Sequence, residues 1–382
     1  MAAISSVSAP SAFSSRSDLW LRDRRWDLLF ITFSVIVVPL PYLVYLLLET
    51  APGVDSDTAR NLVNAFVAVA IGGPHMMSTF LRTGLDDNFK SRYPMLIRSS
   101  IIIPIIVISL AFLNLTLLLT VFFFWAAIHV LHQVTYIVEL YNHKEHKYVR
   151  RSALTWSSRM IDYAIILTCL FPIAAYKIST GTFTIGTNDL GQAIPDLFQQ
   201  TWFFVAMSGV FLVAFGAYVY KTVNEYRLGI INWPKTAFMV CTMVVCFFTP
   251  MLPNLDTAFQ GLNTWHSFQY LAITFYIIKI RQQYGNLKES APLVARFSMR
   301  TKDSKGLYLL STLMLVGSAI IFILVYAIAG IVDPGMDSLK HFDIAYYTSI
   351  LSFLWIHYYH DHFLFTDFES LDAAYSDSGG SA

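Results

Sequence analysis

Ten long apolar stretches leave this chain little choice of fold. They are Leu28–Leu48, Leu62–Leu81, Ile97–Leu113, Leu117–Leu140, Met160–Tyr176, Thr201–Tyr220, Trp233–Leu252, Ala258–Ile280, Leu307–Val332 and Phe342–Phe365. Roughly 20 apolar residues suffice to cross a bilayer as a helix. Lipid offers no partner to a bare peptide group, so such segments must bond internally, as helices do. Charged residues make up only 13% of the 382 residues, against about 25% in soluble domains. The third and fourth stretches form one apolar run, and Asn114–Thr116 is the natural place for a tight hairpin.

The basic residues give the orientation. With the N-terminus in the cytoplasm behind Arg22, Arg24 and Arg25, every Lys and Arg except Arg60, Lys177 and Lys340 falls on the cytoplasmic side, as the positive-inside rule requires. The sequence therefore predicts an all-α, polytopic integral membrane helical bundle of about ten transmembrane helices. Both termini are cytoplasmic, and the expected location is the cytoplasmic (inner) membrane. Residues 28–365 form one bundle domain, with flexible tails at 1–27 and 366–382. Residues 1–15 are rich in Ser and Ala and lack the ordered basic and apolar regions of a signal peptide. A net charge of +1 gives no reason to expect a nucleic-acid partner. Thr180–Pro195, the longest outer connection, reads as a surface loop.

Seven of the ten histidines lie inside these stretches: His75, His129, His132, His266, His357, His360 and His362. Ionisable groups at bilayer depth are costly and point to function. Imidazole is also the commonest metal ligand. In the predicted topology the seven occupy only the second, fourth, eighth and tenth helices, which all run inward. At 1.5 Å rise per residue they spread over roughly 17 Å of depth in the cytoplasmic half, the middle ones within about 8 Å. His143, His146 and His341 lie in connections or at a helix end and carry no such signal.

Each imidazole sits in a polar stripe at helical spacing. One stripe is Asn263, His266, Gln269 and Tyr270; another is His129, His132, Tyr136 and Glu139. On the last helix His357, His360 and Asp361 share a face, while His362 points about 140° from His357. Gly72-Gly73-Pro74 precedes His75, a sequence that bends a helix and permits close backbone approach. All seven histidines are candidate metal ligands. Gln133, Glu139, Asn263, Gln269, Tyr270 and Asp361 are candidates to orient or neutralise them. Imidazole-rich ligation suits iron, zinc or copper. Cys169, Cys241 and Cys246 form no ligand pattern, which argues against iron–sulfur and structural zinc sites. Haem b would need one axial histidine per position, and the closely spaced pairs suit it less well. The aromatics Phe122–Trp125, Phe268, Trp355, Tyr358 and Tyr359 read mostly as packing or lipid-facing surface, and some as tunnel lining.

At these histidines the chain resembles the Brp/Blh family of integral-membrane β-carotene dioxygenases. Gly72-Gly73-Pro74-His75 matches the family's Gly-x-Pro-His element. Ile128-His129, His266-Ser267, and His357 followed by His362-Phe363 match three further elements. Ser78, Val134 and His362 stand where the family has acids, and His132 and His360 are additional. The resemblance implies iron held by His75, His129, His266 and His357, and oxidative cleavage of a carotenoid by dioxygen. The leading expectation is thus a non-haem iron oxygenase whose apolar lipid or carotenoid substrate enters from the bilayer. Two alternatives stay open: a dinuclear-iron lipid hydroxylase or desaturase, for which seven histidines suffice, and a transporter or metal conduit with a histidine relay. The sequence names no redox partner.

Overall fold

The computed structural model describes residues 19–149, 155–185, 188–301, 303–335, 338–366, 368 and 372. Eight helices are long and apolar enough to cross a membrane: α1 (Arg24–Glu49), α2 (Ser56–Leu81), α3 (Pro94–Leu113), α4 (Leu115–Lys147), α5 (Trp156–Ser179), α6 (Thr201–Arg227), α7 (Trp233–Met251) and α9 (Lys305–Val332). They coincide with the first seven and the ninth predicted segments. The other two predicted segments are equally long helices, α8 (Leu255–Tyr284) and α10 (Ser338–Leu364), but their polar stripes make them less apolar.

That polarity follows from position. Along α8, Trp265, His266, Ser267 and Gln269 are all buried, and along α10 so are Thr348, Ser352, His357 and Asp361. Both helices are screened from lipid by their neighbours, so they can carry groups that hydrocarbon would reject. Conversely, α6 and α9 present Val213, Leu212, Ile323 and Ile331 outward. An apolar exterior around a polar interior is the arrangement expected of a bundle dissolved in lipid.

Local chemistry sets the joints. The hairpin between α3 and α4 is a single residue: Asn114 leaves the helical conformation, and its side-chain oxygen accepts from the amide of Leu117 at 2.9 Å. Gly261 lets α8 touch the bend in α1, since a β-carbon there would lie 2.0 Å from the carbonyl oxygen of Val38. Near the cytoplasmic ends predicted for α4–α7, the ammonium groups of Lys221 and Lys235 both donate to the buried carboxylate of Asp162, and Lys235 also reaches Asn142 at 3.0 Å.

Three expectations need correction. The Thr180–Pro195 connection is no loose surface loop. It pairs β1 (Thr184–Ile185) with β2 (Asn188–Asp189) and buries Phe183, Ile185 and Leu190 against Leu119, Phe123 and Leu255. Residues 19–27 are not a tail. The Asp27 carboxylate accepts from the amides of Leu21 at 2.6 Å and Arg22 at 3.1 Å and from the Tyr141 hydroxyl at 2.9 Å, and Trp26 packs into the main core. Beyond α10, Asp372 meets Nε2 of His143 and Nζ of Lys147, each at 2.7 Å, so His143 is not merely solvated. The rest of both expected tails, 1–18 and most of 366–382, lies outside the described residues.

Candidate metal centre

The bend before His75 shows how the backbone prepares this site. A π-helical turn (Ala68–Gly72) interrupts α2 and runs into Gly73-Pro74. Proline has no amide hydrogen for the carbonyl four residues earlier, which is that of Ala70. The Tyr308 hydroxyl of α9 supplies the missing donor at 2.5 Å. Gly73 can be nothing larger, because a β-carbon would stand 2.4 Å from the Ala68 carbonyl oxygen and 2.6 Å from Leu315. The re-aimed turn delivers His75 to the bundle axis.

There His75, His129, His266 and His357 come together, one from each of α2, α4, α8 and α10. Their rings form a closed circuit. Centroids are 4.7 Å apart for His75–His266, 4.9 Å for His266–His129, 4.8 Å for His129–His357 and 4.4 Å for His357–His75. Each residue offers a ring nitrogen, and these nitrogens all lie within 4.8 Å of one another. All four side chains are buried.

Buried polar atoms are normally hydrogen-bonded. Here Nε2 of His75, of His129 and of His357 and both ring nitrogens of His266 have no hydrogen-bond partner. Two nitrogens on one ion with bonds of about 2.1 Å are about 3.4 Å apart in a tetrahedral set and at most about 4.2 Å apart, so the group would contract on an ion by about 0.6 Å or more at its widest pair. The donor set therefore fits a metal ion: inward nitrogens are free where a cation would need them.

Two of the outward nitrogens are held. The Ser267 hydroxyl is 3.0 Å from Nδ1 of His75, and the Thr79 hydroxyl is 2.5 Å from Nδ1 of His357. Such contacts fix ring orientation and leave Nε2 to face inward. Asp361 is the one buried carboxylate beside the group among the described residues. Its Oδ1 accepts from Tyr270 at 2.7 Å and Thr79 at 3.0 Å. Its Oδ2 makes no hydrogen bond and lies 3.3 Å from Nδ1 of His357 and 3.7 Å from Nε2 of His129. Gln133 donates to the carbonyl oxygen of His266 at 3.0 Å, and Gln269 donates to that of Ile31 at 2.7 Å, so the two amides strap α8 to α4 and α1.

The remaining sequence candidates sit elsewhere. Nε2 of His360 meets the Ser100 hydroxyl at 2.7 Å and its Nδ1 meets that of Thr83 at 3.0 Å, so both nitrogens are occupied. His132 and His362 pair their rings at 5.5 Å, one turn from the four-histidine group, with His362 exposed. Glu139 faces away and binds Arg159 and Asn142. Asn263 acts at one remove, accepting from Ser267 at 3.4 Å. Thr79 and Ser267 were not among the predicted supporting residues. Thr79 is four residues after His75, so the i+4 spacing marks it, and Ser267 belongs to the His266-Ser267 motif, where only the three-dimensional contact shows that it reaches His75 rather than its own neighbour.

Beside the group lies a cavity of about 500 Å³. Gly72, Gly73 and Met76 bound it on α2, and Tyr358, which stacks on His129 at 4.1 Å, bounds it on α10. Phe122 and Phe123 also line it. Compared with known proteins, the chain matches no family model, no curated protein and no solved structure. The likeness to the carotenoid dioxygenases therefore rests on its four histidine motifs.

Proposed function

We propose that this protein is a membrane non-haem iron oxygenase that acts on a long apolar substrate drawn from the bilayer, a carotenoid by resemblance. The observation that carries this reading is the circuit of four buried imidazoles with unpartnered inward nitrogens, beside a largely apolar cavity. His75, His129, His266 and His357 would hold the iron. Once bound, it would supply binding and activation of dioxygen at the coordination positions that four imidazoles leave open.

The chain's own groups do the rest. Thr79 and Ser267 hold two rings in register, and Asp361 sets a negative charge against a cation that neutral imidazoles leave uncompensated. Met76 and Tyr358, which follow His75 and His357 in the chain, line the cavity on its side toward the histidines. Entry would be lateral, through the wall that α9 contributes. Both termini, and the site's nearer surface, are assigned to the cytoplasmic side from the distribution of basic residues. A dinuclear site would have to recruit His132 and His362, the remaining ring pair at the cytoplasmic edge.

Elemental analysis of the purified protein tests the reading. About one iron per chain is expected, falling sharply in His266→Ala, whose ring has no other visible task. Full metal retention in alanine variants of all four histidines would refute it. A stoichiometry near two would favour the dinuclear alternative.

A further inference from the structure

The cavity is not uniformly apolar, and two polar groups at the end away from the histidines lack a hydrogen-bond partner. Asn64 on α2, Asp256 on α8 and Tyr346 on α10 line that end. At 1.5 Å per residue, the separations Asn64–His75, Asp256–His266 and Tyr346–His357 are all about 15–17 Å along their helices. Three helices thus give one length for the passage. Between the two ends the lining is mostly apolar, with Ala68, Val69, Phe259 and Leu315 in it, and among its polar members the amides of Asn263 and Gln260 bond to each other at 3.1 Å.

At the polar end two acceptors go unanswered. Oδ1 of Asn64 and Oδ2 of Asp256 are buried without a hydrogen bond, and Asn64 is more than nine-tenths buried. Arg60 neutralises Asp256, its Nε lying 3.5 Å from Oδ2, beyond a good hydrogen bond. Unsatisfied buried acceptors are costly, about 1–3 kcal/mol each. Something that occupies the cavity must bring a donor. A pure hydrocarbon has none. A carboxylate would meet the charge of Asp256, and a cation would compete with Arg60 for it. A hydroxyl is neutral and donates.

We propose that the substrate is a long apolar molecule ending in a hydroxyl, and that Asn64 Oδ1 accepts from this hydroxyl beside the Asp256–Arg60 pair while the chain runs down the passage toward the histidines. The proposal rests on the oxygenase reading for the direction of the chain and supplies the substrate class. It also sets a ruler. An extended chain advances about 1.2 Å per bond, judged from roughly 3.5 Å per three-bond peptide residue, so atoms about a dozen bonds from the hydroxyl lie beside the imidazoles. In a carotenoid with a hydroxyl on its end ring, the central double bond lies at about that remove.

Binding of β-carotene and of its singly ring-hydroxylated derivative to the detergent-purified full chain, followed by quenching of tryptophan fluorescence, decides the matter. Iron content is measured on the same samples. The hydroxylated pigment is expected to bind about tenfold more tightly to the natural protein, as one buried hydrogen bond allows. In Asn64→Leu the preference should shrink to within about twofold. Equal affinities in the natural protein would overturn the proposal whatever the variant does, as would a preference kept in both Asn64→Leu and Asp256→Asn, or saturable binding of neither pigment. Protein that lacks iron but keeps the preference upholds the hydroxyl pocket and sinks the oxygenase reading. Iron-replete protein without the preference does the reverse.

Discussion

Replacing Asp361 by asparagine isolates the one negative charge beside the four imidazoles. The isostere keeps shape. Its amide nitrogen can take the place of Oδ1, because the hydroxyls of Tyr270 and Thr79 that now donate there can accept instead. Its oxygen then stays where Oδ2 lies, 3.3 Å from Nδ1 of His357. The fold should survive, and what disappears is charge. A hydrogen bond to a charged group is worth about 1.5–3 kcal/mol, against about 1 for a neutral one. Loss of a group that orients metal ligands typically costs 10–100-fold in metal affinity, which is about 1.4–2.8 kcal/mol. The two routes overlap near about 1.4–2 kcal/mol, so Asp361→Asn should weaken metal binding by roughly tenfold to thirtyfold. Chelator competition against the purified protein reads this directly, and the thermal midpoint of the metal-free form serves as the folding control. If affinity stays within about twofold while the fold holds, the carboxylate is not the counter-charge of the site.

Other substitutions probe the supports. Gly73→Ala should lower the thermal midpoint by the equivalent of about 1–3 kcal/mol and reduce metal content with it, since its β-carbon collides with the Ala68 carbonyl and with Leu315; an unchanged melt would show that the bend has slack. Tyr308→Phe should cost about 1 kcal/mol in a thermal or denaturant series, because it leaves the Ala70 carbonyl oxygen without its donor. His360→Ala should destabilise the fold yet leave metal content intact, its two nitrogens being bound to Ser100 and Thr83, whereas His357→Ala should abolish binding. Equal metal loss in those two variants would contradict the division between ligand and strut.

Much of this architecture is written in the pattern of apolar residues. The hairpin at Asn114 was legible because a long apolar run must turn somewhere and Asn114 is the one Asn or Asp within it, a residue type that caps helices well. The polar stripes of α8 and α10 were likewise legible, and most of the residues that form them are buried. Which histidines converge was harder to read. His357 and His360 differ by only three residues, about 60° around the helix and 4.5 Å along it. That small rotation turns one ring to the bundle axis and the other toward Ser100 and Thr83. His129 and His132 differ by the same step, which sends the second toward His362. Helix rotation is set by packing against neighbours distant in sequence, so no local pattern states it. Distance hid the polar end of the cavity too: Asn64 and Asp256 carry no motif and meet only because α2 and α8 pack side by side.

The hydroxyl of Tyr308 and the side chain of Leu315 belong to the same outer helix, and both press on the bend that aims His75. That helix is also part of the partition between the hollow interior and the surrounding lipid. A guest parting it from its neighbour would strip a carbonyl of its donor and unload the wedge behind a ligand-bearing turn. Admission through this seam would therefore be mechanically tied to the grip on any bound ion, since the doorway could not swing wide without loosening one corner of the hearth it guards.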